Sequence, residues 1–507
     1  MEEQNSLIFD EQRLNKRDIL KEAGIEMYPP KFERIYTIKT ICDRFATVGH
    51  DPGEEHVTTA GRVYGIRDHG KTLFVDLGDE SGRMQIYIKK NNLPEGQFDL
   101  FKETGERGDF IGVTGPVFRT KVGELSISAE NVTILTKSLC TLPEKFHGLT
   151  NLEKRYRQRY LDLIVNEESR ETFRTRSRII SCIRKTLQDT GFLEFETPTL
   201  QPVYGGANAR PFTTHHNFLE QKLFLRIAPE LYLKRLIIGG FEKVFEIAKN
   251  FRNEDIDTSH NPEFTMVEIY EAYADYLDMM HLTEDILVKT VQLCSGETSV
   301  SRSGEVLDFT APFAAMSMED AVRDIAGIDI STHTLDELKQ IGLQRGLEAV
   351  SDISSIREAL VLFFEEYCEG TLIQPTFIYD FPIENSPLAK RHREKEGYVE
   401  RFELFISGME IANGFSELND PQDQKERFLR QERLREEGDD EAQMYDTDFV
   451  NALGYGMPPT GGVGIGIDRL VMLLTGHNSI KEVILFPQMK RESHENDQPV
   501  EDAPLEN

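Results

Sequence analysis

The chain has 507 residues, 39% of them hydrophobic, and a formal net charge of −30. Its length predicts two or more domains, and its 31 Phe and 16 Tyr are ample for a sizeable core. No run of 18 apolar residues and no apolar N-terminal segment exist, which argues against a membrane span and a secretory signal. Five cysteines lie far apart without a CxxC pair, which argues against a zinc knuckle or disulfide framework and predicts a reducing cytoplasm.

The acidic balance argues against a nucleic-acid partner, because phosphate binding needs local positive charge. Much of the acid is concentrated in two stretches, residues 435–448 and the tail 491–507. Charge runs of this kind are usually solvated surface or disordered ends, and we expect the tail to be disordered. The net charge therefore lowers the expectation of a basic binding face but does not exclude one.

Residues 1–50 are predicted to be a helical N-terminal extension, in which FDEQRLNKRDILKEAG ends at Gly24. Residues 51–145 follow as a second region, with about five short alternating strands between 57 and 136 and glycines at the bends. This pattern predicts a five-stranded Greek-key barrel of the oligonucleotide-binding (OB) type. Reading unpaired bases needs an aromatic plate and hydrogen-bonding groups, which the region supplies in Arg62, Phe74, Gln85 and Glu130, although a strand phenylalanine is often a core residue.

Residues 146–490 predict a large α+β domain rather than a regular βαβ alternation. A long amphipathic helix ends at Gly191, and a strand after it ends at Pro198. Residues 276–372 are mainly helical, with a predicted helical insertion around 315–372. Strands return at 375–417, and a glycine-rich strand meets a helix at 461–475.

The stretch FRNEDIDTSHNPEFTMVEIYEAYADY (251–276) predicts a hairpin with a long polar loop. Because side chains two apart share a face of a strand, Arg252 and Glu254 are expected to project together from the first strand. The second strand should present one row of side chains on the same surface: Phe264, Met266, Glu268 and Tyr270. A cation, an aromatic plate and a carboxylate on one surface suit a nucleotide beside a small charged molecule.

The stretch ERFELFISGMEIANGFSEL (400–418) predicts a second hairpin that turns at Ser407–Gly408. In that register Phe405 faces Glu410, and Glu403 lies one pair further on the same face. Two carboxylates across a hairpin suit Mg²⁺, although glutamates are more often solvent-facing. Strand parity sends three further residues to the opposite face unless a bulge at Gly414 restores them: Asn413, Phe415 and Glu417.

The stretch TGGVGIGIDRLVMLLTG (460–476) resembles the start of a dinucleotide fingerprint, but Arg469 stands where the third glycine is required. Arg469 at a helix start can meet a phosphate, and the alternative is a packed junction in which Arg469 forms an ion pair. Two smaller features are Gly206 in a loop able to approach a ligand and Glu230 at a helix start. An acid there more commonly complements the helix dipole.

Together FRNED with Phe264, GGVGIGIDR, and the helix–strand unit ending at Pro198 resemble the three motifs of the class II aminoacyl-tRNA synthetases. APELYLKRL, HNPEFTMVEIY, SPLAK and EIANGFSELNDP are similar to the lysyl-tRNA synthetase family of subclass IIb, and the match extends over roughly residues 10–490. Asp255 departs from the family, which usually has Gly there. The resemblance implies a six-stranded antiparallel sheet flanked by helices, a homodimer, and a barrel that reads the anticodon of tRNA(Lys).

The resemblance also implies ATP, Mg²⁺ and L-lysine as ligands, with roles for individual residues. Arg252 grips the α-phosphate and the lysine carboxylate, Arg469 holds the γ-phosphate, and both are implied catalytic residues. The remaining implied ATP ligands are Glu254, His260, Asn261 and Phe264. The implied Mg²⁺ ligands are Glu403 and Glu410. The other implied lysine ligands are Gly206, Glu230, Glu268, Tyr270, Asn413, Phe415 and Glu417, and the implied anticodon ligands are Arg62, Phe74, Gln85 and Glu130.

Three alternatives stay open. A synthetase for another amino acid of the subclass is disfavoured, because an aspartate- or asparagine-specific relative has no use for the Glu268/Glu417 pair. A paralogue that lysylates a protein is expected to lack the barrel. A nucleic-acid-binding protein without enzymatic activity would not need Arg252, Glu403, Glu410 and Arg469 together.

Overall fold

The structure is a computed structural model that describes residues 9–143, 149–302 and 304–490. The chain divides into two compact units, Met1–Gly148 and Leu149–Asn507. Within the described ranges, no helix is both long and apolar enough to cross a membrane. The predicted acidic tail, 491–507, lies outside the described residues.

The first unit is built around a barrel of five strands. The strands of the unit are β1 (His56–Asp68), β2 (Thr72–Asp79), β3 (Gly82–Lys89), β4 (Phe110–Arg119), β5 (Leu125–Ala129) and β6 (Asn131–Thr136). Their order is β1-β2-β3-β5-β4, and β4 pairs back with β1, so the barrel closes and leaves no open edge between these strands. β6 pairs with β4 as a sixth strand. The predicted OB-type barrel is confirmed.

Strand alternation builds the barrel core. Leu73, Val75 and Leu77 of β2 are fully buried, whereas Phe74 and Asp76 point to the other side of the strand. Three helices complete the unit: α1 (Glu11–Glu22), α2 (Ile38–Arg44) and α3 (Gln97–Thr104). The side chain of Asp10 caps α1 by accepting a hydrogen bond from the Gln12 amide at 2.9 Å, as expected for a residue before a helix.

The second unit is organised around an eight-stranded sheet. Its strands are β7 (Leu193–Glu194), β11 (Lys243–Phe251), β12 (Glu263–Ala272), β15 (Ala314–Ser317), β16 (Thr376–Pro382), β17 (Tyr398–Ile406), β18 (Met409–Ser416) and β19 (Thr460–Gly466). The central order β16-β17-β18-β19-β12-β11 is antiparallel, which confirms the predicted six-stranded sheet. Two short strands pair in parallel at the two edges: β15, which the sequence did not predict, and β7, which is shorter than the predicted strand that ends at Pro198.

Smaller sheets and the helices complete the second unit. The smaller sheets contain β8 (Leu200–Gln201), β9 (Thr213–His216), β10 (Gln221–Leu225), β13 (Ser299–Arg302) and β14 (Glu305–Asp308). The helices are α4 (Leu152–Arg157), α5 (Arg159–Val165), α6 (Glu167–Asp189), α7 (Glu230–Ile238), α8 (Tyr276–Ser295), α9 (Met318–Ala321), α10 (Leu335–Gln344), α11 (Ile356–Tyr367), α12 (Pro421–Glu436), α13 (Thr447–Gly454), α14 (Ile467–Thr475) and α15 (Ile480–Val483).

The main core lies on one face of the large sheet. There α6, α8 and α14 pack apolar side chains against the strands, and buried members of this core include Ile183, Phe245, Val267, Ile269, Ile286, Val463, Ile465 and Leu470. Burying each large aliphatic side chain contributes about 1.5–3 kcal/mol, so this face fixes the orientation of the strands. Alternate residues of the same strands then face the opposite side of the sheet, where the candidate site lies.

The hairpin of β17 and β18 turns at Ser407–Gly408, as predicted. Both turn residues have positive φ, 55° and 69°, which is the geometry of the tight turns that favour hairpins. Phe405 pairs with Glu410 across the hairpin, also as predicted.

The predicted position of the bulge in β18 is wrong. Leu404 pairs with Ala412, one residue further than the register of the turn allows, so Ile411 is the extra residue. The bulge therefore follows Glu410 directly and does not lie at Gly414. The extra residue switches the face to which each later side chain of β18 points. Asn413 and Phe415 therefore lie on the same face as Glu410.

Candidate active site

A cavity of about 370 Å³ lies over the large sheet on the side opposite the main core. The sequence nominated residues from five separate stretches for catalysis and for ATP, lysine and metal binding, and every one of them lines this cavity. They are Gly206, Glu230, Arg252, Glu254, His260, Asn261, Phe264, Glu268, Tyr270, Glu403, Glu410, Asn413, Phe415, Glu417 and Arg469. The fold thus brings together side chains that are more than 260 positions apart in sequence.

The row predicted on the second strand of the first hairpin is present on β12. Phe264, Met266, Glu268 and Tyr270 all line the cavity, and Val267 between them is buried in the main core. The first strand ends earlier than predicted. β11 stops at Phe251, so Arg252 and Glu254 reach the cavity from the loop after the strand and not from the strand itself.

Arg252 is held where an anion can reach it. Its amide donates to the carbonyl of Pro262 at 2.9 Å, and its guanidinium lies 5.0 Å from the ring centroid of Phe264. The Nε atom is buried and has no hydrogen-bond partner among the described residues. Burial lowers the pKa of Arg252, and the nearby carboxylates, Glu254 first, oppose that shift. A partly buried guanidinium with an unused, buried donor is suited to a bound phosphate or carboxylate.

A second cationic corner is formed at the start of α14. Arg469 Nη1 donates to the carbonyl of Glu410 at 2.8 Å and lies 3.3 Å from the Glu410 carboxylate. Arg469 Nη2 is 3.4 Å from His260 Nε2, and the other ring nitrogen of His260 lies 2.8 Å from Asp257. Arg469 therefore both forms an ion pair, as the alternative interpretation of this stretch expected, and faces the cavity beside His260.

Glu403 is a partly buried carboxylate next to this corner, with 13% of its side chain exposed. Its Oε1 atom accepts from Arg401 Nη2 at 2.5 Å and from Asn413 Nδ2 at 3.4 Å. Burial raises the pKa of Glu403 to about 8, and the negative charge of Glu410 adds to the increase against the opposing effect of Arg401. A further cation beside Glu403 would favour its ionised form.

The opposite end of the cavity is an acid pocket, which we define as Glu230, Glu268 and Glu417. Burial raises the pKa of all three carboxyls, to about 8 for Glu268 and well above the ordinary value for Glu417. The hydroxyl of Tyr270 donates to Glu268 Oε2 at 2.9 Å. Glu417 Oε2 forms an ion pair with Lys234, and Glu417 Oε1 has no hydrogen-bond partner among the described residues. Buried acids with unused acceptors are suited to a ligand that carries ammonium groups.

Two glycines leave room for these acids. A Cβ atom on Gly462 of β19 would overlap Glu417 Oε1, so any side chain there would displace the carboxylate. Gly206 has φ +89°, and a Cβ atom on it would lie 2.9 Å from the Cβ of Glu230. The Gly206 amide donates to Gln443 Oε1 at 3.2 Å, which fixes the loop beside the pocket.

Four residues that the sequence did not nominate support the site. Lys234 contacts Glu230 and Glu417, Arg401 contacts Glu403, and Gln443 holds Gly206. Asp468 accepts from the Thr265 amide at 2.7 Å and from Arg176 at 2.5 Å, which joins β12, α6 and the start of α14. Lys234, Arg401 and Asp468 each lie within four positions of a nominated residue, and this proximity was the only signal for them in the sequence. Gln443 had no such signal.

The barrel of the first unit carries an aromatic row, defined as His69, Phe74, Tyr87 and Phe118. Successive ring centroids are 5.5, 5.4 and 5.5 Å apart. Arg67, which the sequence did not nominate, lies 5.9 Å from the Phe74 ring. Phe74 is thus on the outside of the barrel and not in its core.

The other nominated residues of the barrel make separate contacts. Gln85 accepts a hydrogen bond from Ser126 at 3.1 Å on the strand next to β3. Arg62 lies 4.3 Å from the Phe110 ring centroid and donates to a backbone carbonyl at 3.0 Å. Glu130 lies 2.8 Å from His56. The contacts of Arg62 and Glu130 do not include any member of the aromatic row.

Comparison with known proteins matches both units. The family of class II tRNA synthetases (D, K and N) matches residues 151–490, and the OB-fold nucleic acid binding domain of the tRNA anticodon type matches residues 57–135. The first match covers most of the unit that contains the cavity.

Curated relatives match almost the whole chain. The lysine–tRNA ligase of Methanospirillum hungatei is 68% identical over 492 residues, 97% of each chain. That of Methanoculleus marisnigri is 64% identical, over 97% of this chain and 96% of its own. That of Bacillus subtilis is 49% identical, over 94% of this chain and 96% of its own. The chain belongs to the class II tRNA synthetase family and, within it, to the lysine–tRNA ligases.

Proposed function

We propose that this enzyme activates L-lysine with ATP to lysyl-AMP and pyrophosphate, and then transfers the lysyl group to the 3′-end of tRNA(Lys) for translation. The observation that carries the proposal is the division of the cavity, with arginines at one end and the acid pocket at the other. Lysine is an amino acid with two ammonium groups and one carboxylate, so it matches that division of charge. The names of the relatives support the same substrate.

The first step needs no general base, because the lysine carboxylate is already anionic at neutral pH. A carboxylate oxygen attacks the α-phosphorus of ATP, the new O–P bond forms, and the bond to the β-phosphate oxygen breaks with release of pyrophosphate. Catalysis then depends on positioning and on neutralising the phosphates. We assign the α-phosphate and the lysine carboxylate to Arg252, whose buried Nε has no partner among the described residues, and the γ-phosphate to Arg469 and His260.

The base of ATP is assigned to the loop side of the cavity. Phe264 offers a ring face for adenine, and Glu254 lies nearby to accept from its amino group. Asn261 is held in place from both sides, since it donates to the carbonyl of Glu263 at 2.6 Å and accepts from the Gln488 amide at 3.2 Å. Asp255, at the position where the family usually has Gly, forms an exposed ion pair with Lys490 at 3.0 Å.

The acid pocket is assigned to the substrate's ammonium groups. We place the α-ammonium at Glu230 and the carbonyl of Gly206, and the ε-ammonium at Glu268, Tyr270 and Glu417. Asn413 assists the carboxylate, and the ring of Phe415 lines the aliphatic stem. A neutral or acidic side chain would leave the buried Glu268 carboxyl without a cation in contact, which disfavours aspartate and asparagine as substrates.

Glu403 and Glu410 fit Mg²⁺. Both offer hard oxygen donors, and the raised pKa of Glu403 is the signature of an acid that a cation would stabilise. No group of three or more His, Cys, Asp or Glu side chains in the described part of the chain is arranged to hold a metal, so other ligands would come from ATP oxygens and water. A magnesium ion held there would neutralise charge on the phosphates.

The barrel is assigned to the anticodon. The aromatic row offers ring faces on which unpaired bases can stack, and Gln85 lies on the neighbouring strand to Phe74. Arg62 and Glu130 stay predicted base contacts. We further propose that the enzyme is a cytoplasmic homodimer with an N-terminal extension at 1–50, an anticodon domain at 51–145 and a catalytic domain at 146–490.

Amino-acid-dependent exchange of labelled pyrophosphate into ATP tests the proposal. The full-length enzyme should support exchange with lysine and not with the other standard amino acids, and it should charge the tRNA whose anticodon is uridine-rich. Exchange that depends on aspartate or asparagine would refute the assignment of the acid pocket. Absence of exchange with every amino acid, in protein that binds ATP, would refute the proposed activity itself.

A further inference from the structure

Lys234 is a buried cation behind the acid pocket. It lies one turn after Glu230 on α7, and its side chain is 0% exposed. Its Nζ atom donates to Glu230 Oε1 at 2.6 Å, forms an ion pair with Glu417, and lies 5.4 Å from the centroid of the Phe415 ring. Lys234 is not one of the residues that line the cavity, although Glu230, Glu417 and Phe415 all are.

Lys234 connects the two parts of the proposed lysine site, because it contacts a carboxylate in each of them. Glu230 is assigned to the α-ammonium and Glu417 to the ε-ammonium, yet one ammonium of the protein contacts both carboxylates from behind. Each carboxylate therefore keeps at least one oxygen for a ligand: Glu230 Oε2 lies toward Gly206, 3.7 Å from the position a Cβ atom would take there. A carboxylate bound on one side by a rigid partner is oriented before the substrate arrives.

The charge of Lys234 also affects the acids. The charges of Glu230 and Glu417 raise the pKa of Lys234 against the effect of burial, so it stays protonated. In return, Lys234 opposes the increase that burial causes in the pKa of Glu230 and Glu417. The other titratable and charged groups that act within the acid pocket come from β11, β12 and β17 and the loop after β11: Glu246, Arg252, Glu268, Tyr270 and Arg401.

We propose that Lys234 is a positioning residue that determines specificity for lysine, a permanent counter-ion that orients Glu230 and Glu417 toward the two ammonium groups of the substrate. The inference rests on the proposed function and extends it to a residue that does not touch the substrate. The opposite role is that of a tethered competitor, in which the Lys234 ammonium occupies the place of a substrate ammonium. The two roles predict opposite changes when the charge is removed.

The test replaces Lys234 by Met, which has similar length and no charge, in the full-length enzyme. Loss of orientation at two carboxylates should raise KM for lysine by about 10²-fold, because small misplacements of binding groups have effects of that size. KM for ATP and kcat should change by no more than a few-fold, since the lost contact serves binding of the amino acid. The matched control is Lys243→Met, which removes the partly exposed ion pair with Glu271 at 2.6 Å and should leave every constant unchanged.

A pH profile separates this role from a merely structural one. Without the Lys234 charge, the pKa values of Glu230 and Glu417 rise further, so KM for lysine in the variant should continue to fall above about pH 8. The parent enzyme should level off there, because Glu268 titrates at about pH 8. A second variant, Lys234→Gln, should show the same loss of lysine affinity, and thermal unfolding with and without ATP reports whether each variant is folded.

Each outcome decides the proposal. A selective increase in KM for lysine with a shifted pH profile supports it. An unchanged or lower KM for lysine in Lys234→Met overturns it, and a lower KM would identify the tethered competitor instead. Loss of ATP binding in both variants would make Lys234 a residue required for folding and also overturns it. Failure of the proposed function is seen separately, as a lack of lysine-dependent exchange in the parent enzyme.

Discussion

Binding of lysine should release a proton from Glu268, so the affinity for lysine should rise with pH. Burial, and then the negative charge of Glu230, raise the pKa of Glu268 to about 8 in the cavity without substrate. Most Glu268 side chains are therefore neutral at pH 7, and a neutral carboxyl forms no ion pair. A bound ammonium group favours the ionised form, so it lowers the pKa and expels the proton.

The size of the effect follows from that pKa. With a value of about 8, Glu268 is about 1% ionised at pH 6, about 10% at pH 7 and half ionised at pH 8. If only the ionised form binds lysine, KM falls about tenfold between pH 6 and 7 and roughly 80-fold between pH 6 and 8.5.

The assay is lysine-dependent pyrophosphate exchange at saturating ATP and constant ionic strength, from about pH 6 to pH 8.5. KM for ATP, measured in parallel, should not follow the same curve. In Glu268→Gln, KM for lysine should be high at every pH and nearly flat, because the titrating group is gone. A KM for lysine that stays constant between pH 6 and 8 in the parent enzyme would refute the role of Glu268 as a titrating ligand.

Three further predictions concern single side chains. Arg252→Ala should reduce exchange by roughly 10³-fold or more without unfolding the protein, because the guanidinium stabilises charge on the transferring phosphoryl; exchange within a few-fold of the parent would contradict its assignment. Glu417→Gln should raise KM for lysine on the order of 10²-fold and spare ATP, since breaking a buried charge pair costs about 2–5 kcal/mol, whereas Glu271→Gln on the rim of the sheet should do neither. Phe74→Ala should weaken tRNA binding about tenfold or more through lost stacking and leave exchange intact; unchanged charging of tRNA would remove Phe74 from the anticodon site.

Much of the fold and site followed from local patterns in the sequence. The alternation of Phe264, Met266, Glu268 and Tyr270 fixed one face of β12 because the period of a strand is two residues. The OB-type barrel followed from its short strands and glycines, and the six antiparallel strands followed from the family resemblance. The roles of the individual residues stay predictions.

The features of the fold and site that the sequence did not predict depend on contacts between residues far apart in sequence, which no local pattern encodes. In sequence, Lys234 and Glu230 are an ordinary i, i+4 pair of the kind found on exposed helix surfaces, and the packing of α7 against β11, β12 and α13 buries them. The bulge after Glu410 depends on how β18 pairs with β17, which strand parity alone does not reveal. Arg67 was not nominated because its position over Phe74 arises from the pairing of β1 with β2.

The single extra residue at Ile411 determines whether β18 can gain or lose a residue without loss of the site. Four side chains around Ile411 line the same cavity: Glu410 before it, and Asn413, Phe415 and Glu417 after it. They share one face because the first interval, from Glu410 to Asn413, is three residues, whereas the next two intervals are two residues each. Many substitutions at Ile411 would preserve that count. Deletion of one residue there, or insertion of one, would leave a well-paired sheet that points the amino-acid end of the site into the protein interior. We therefore expect natural variation between Glu410 and Glu417 to replace residues and never to change their number.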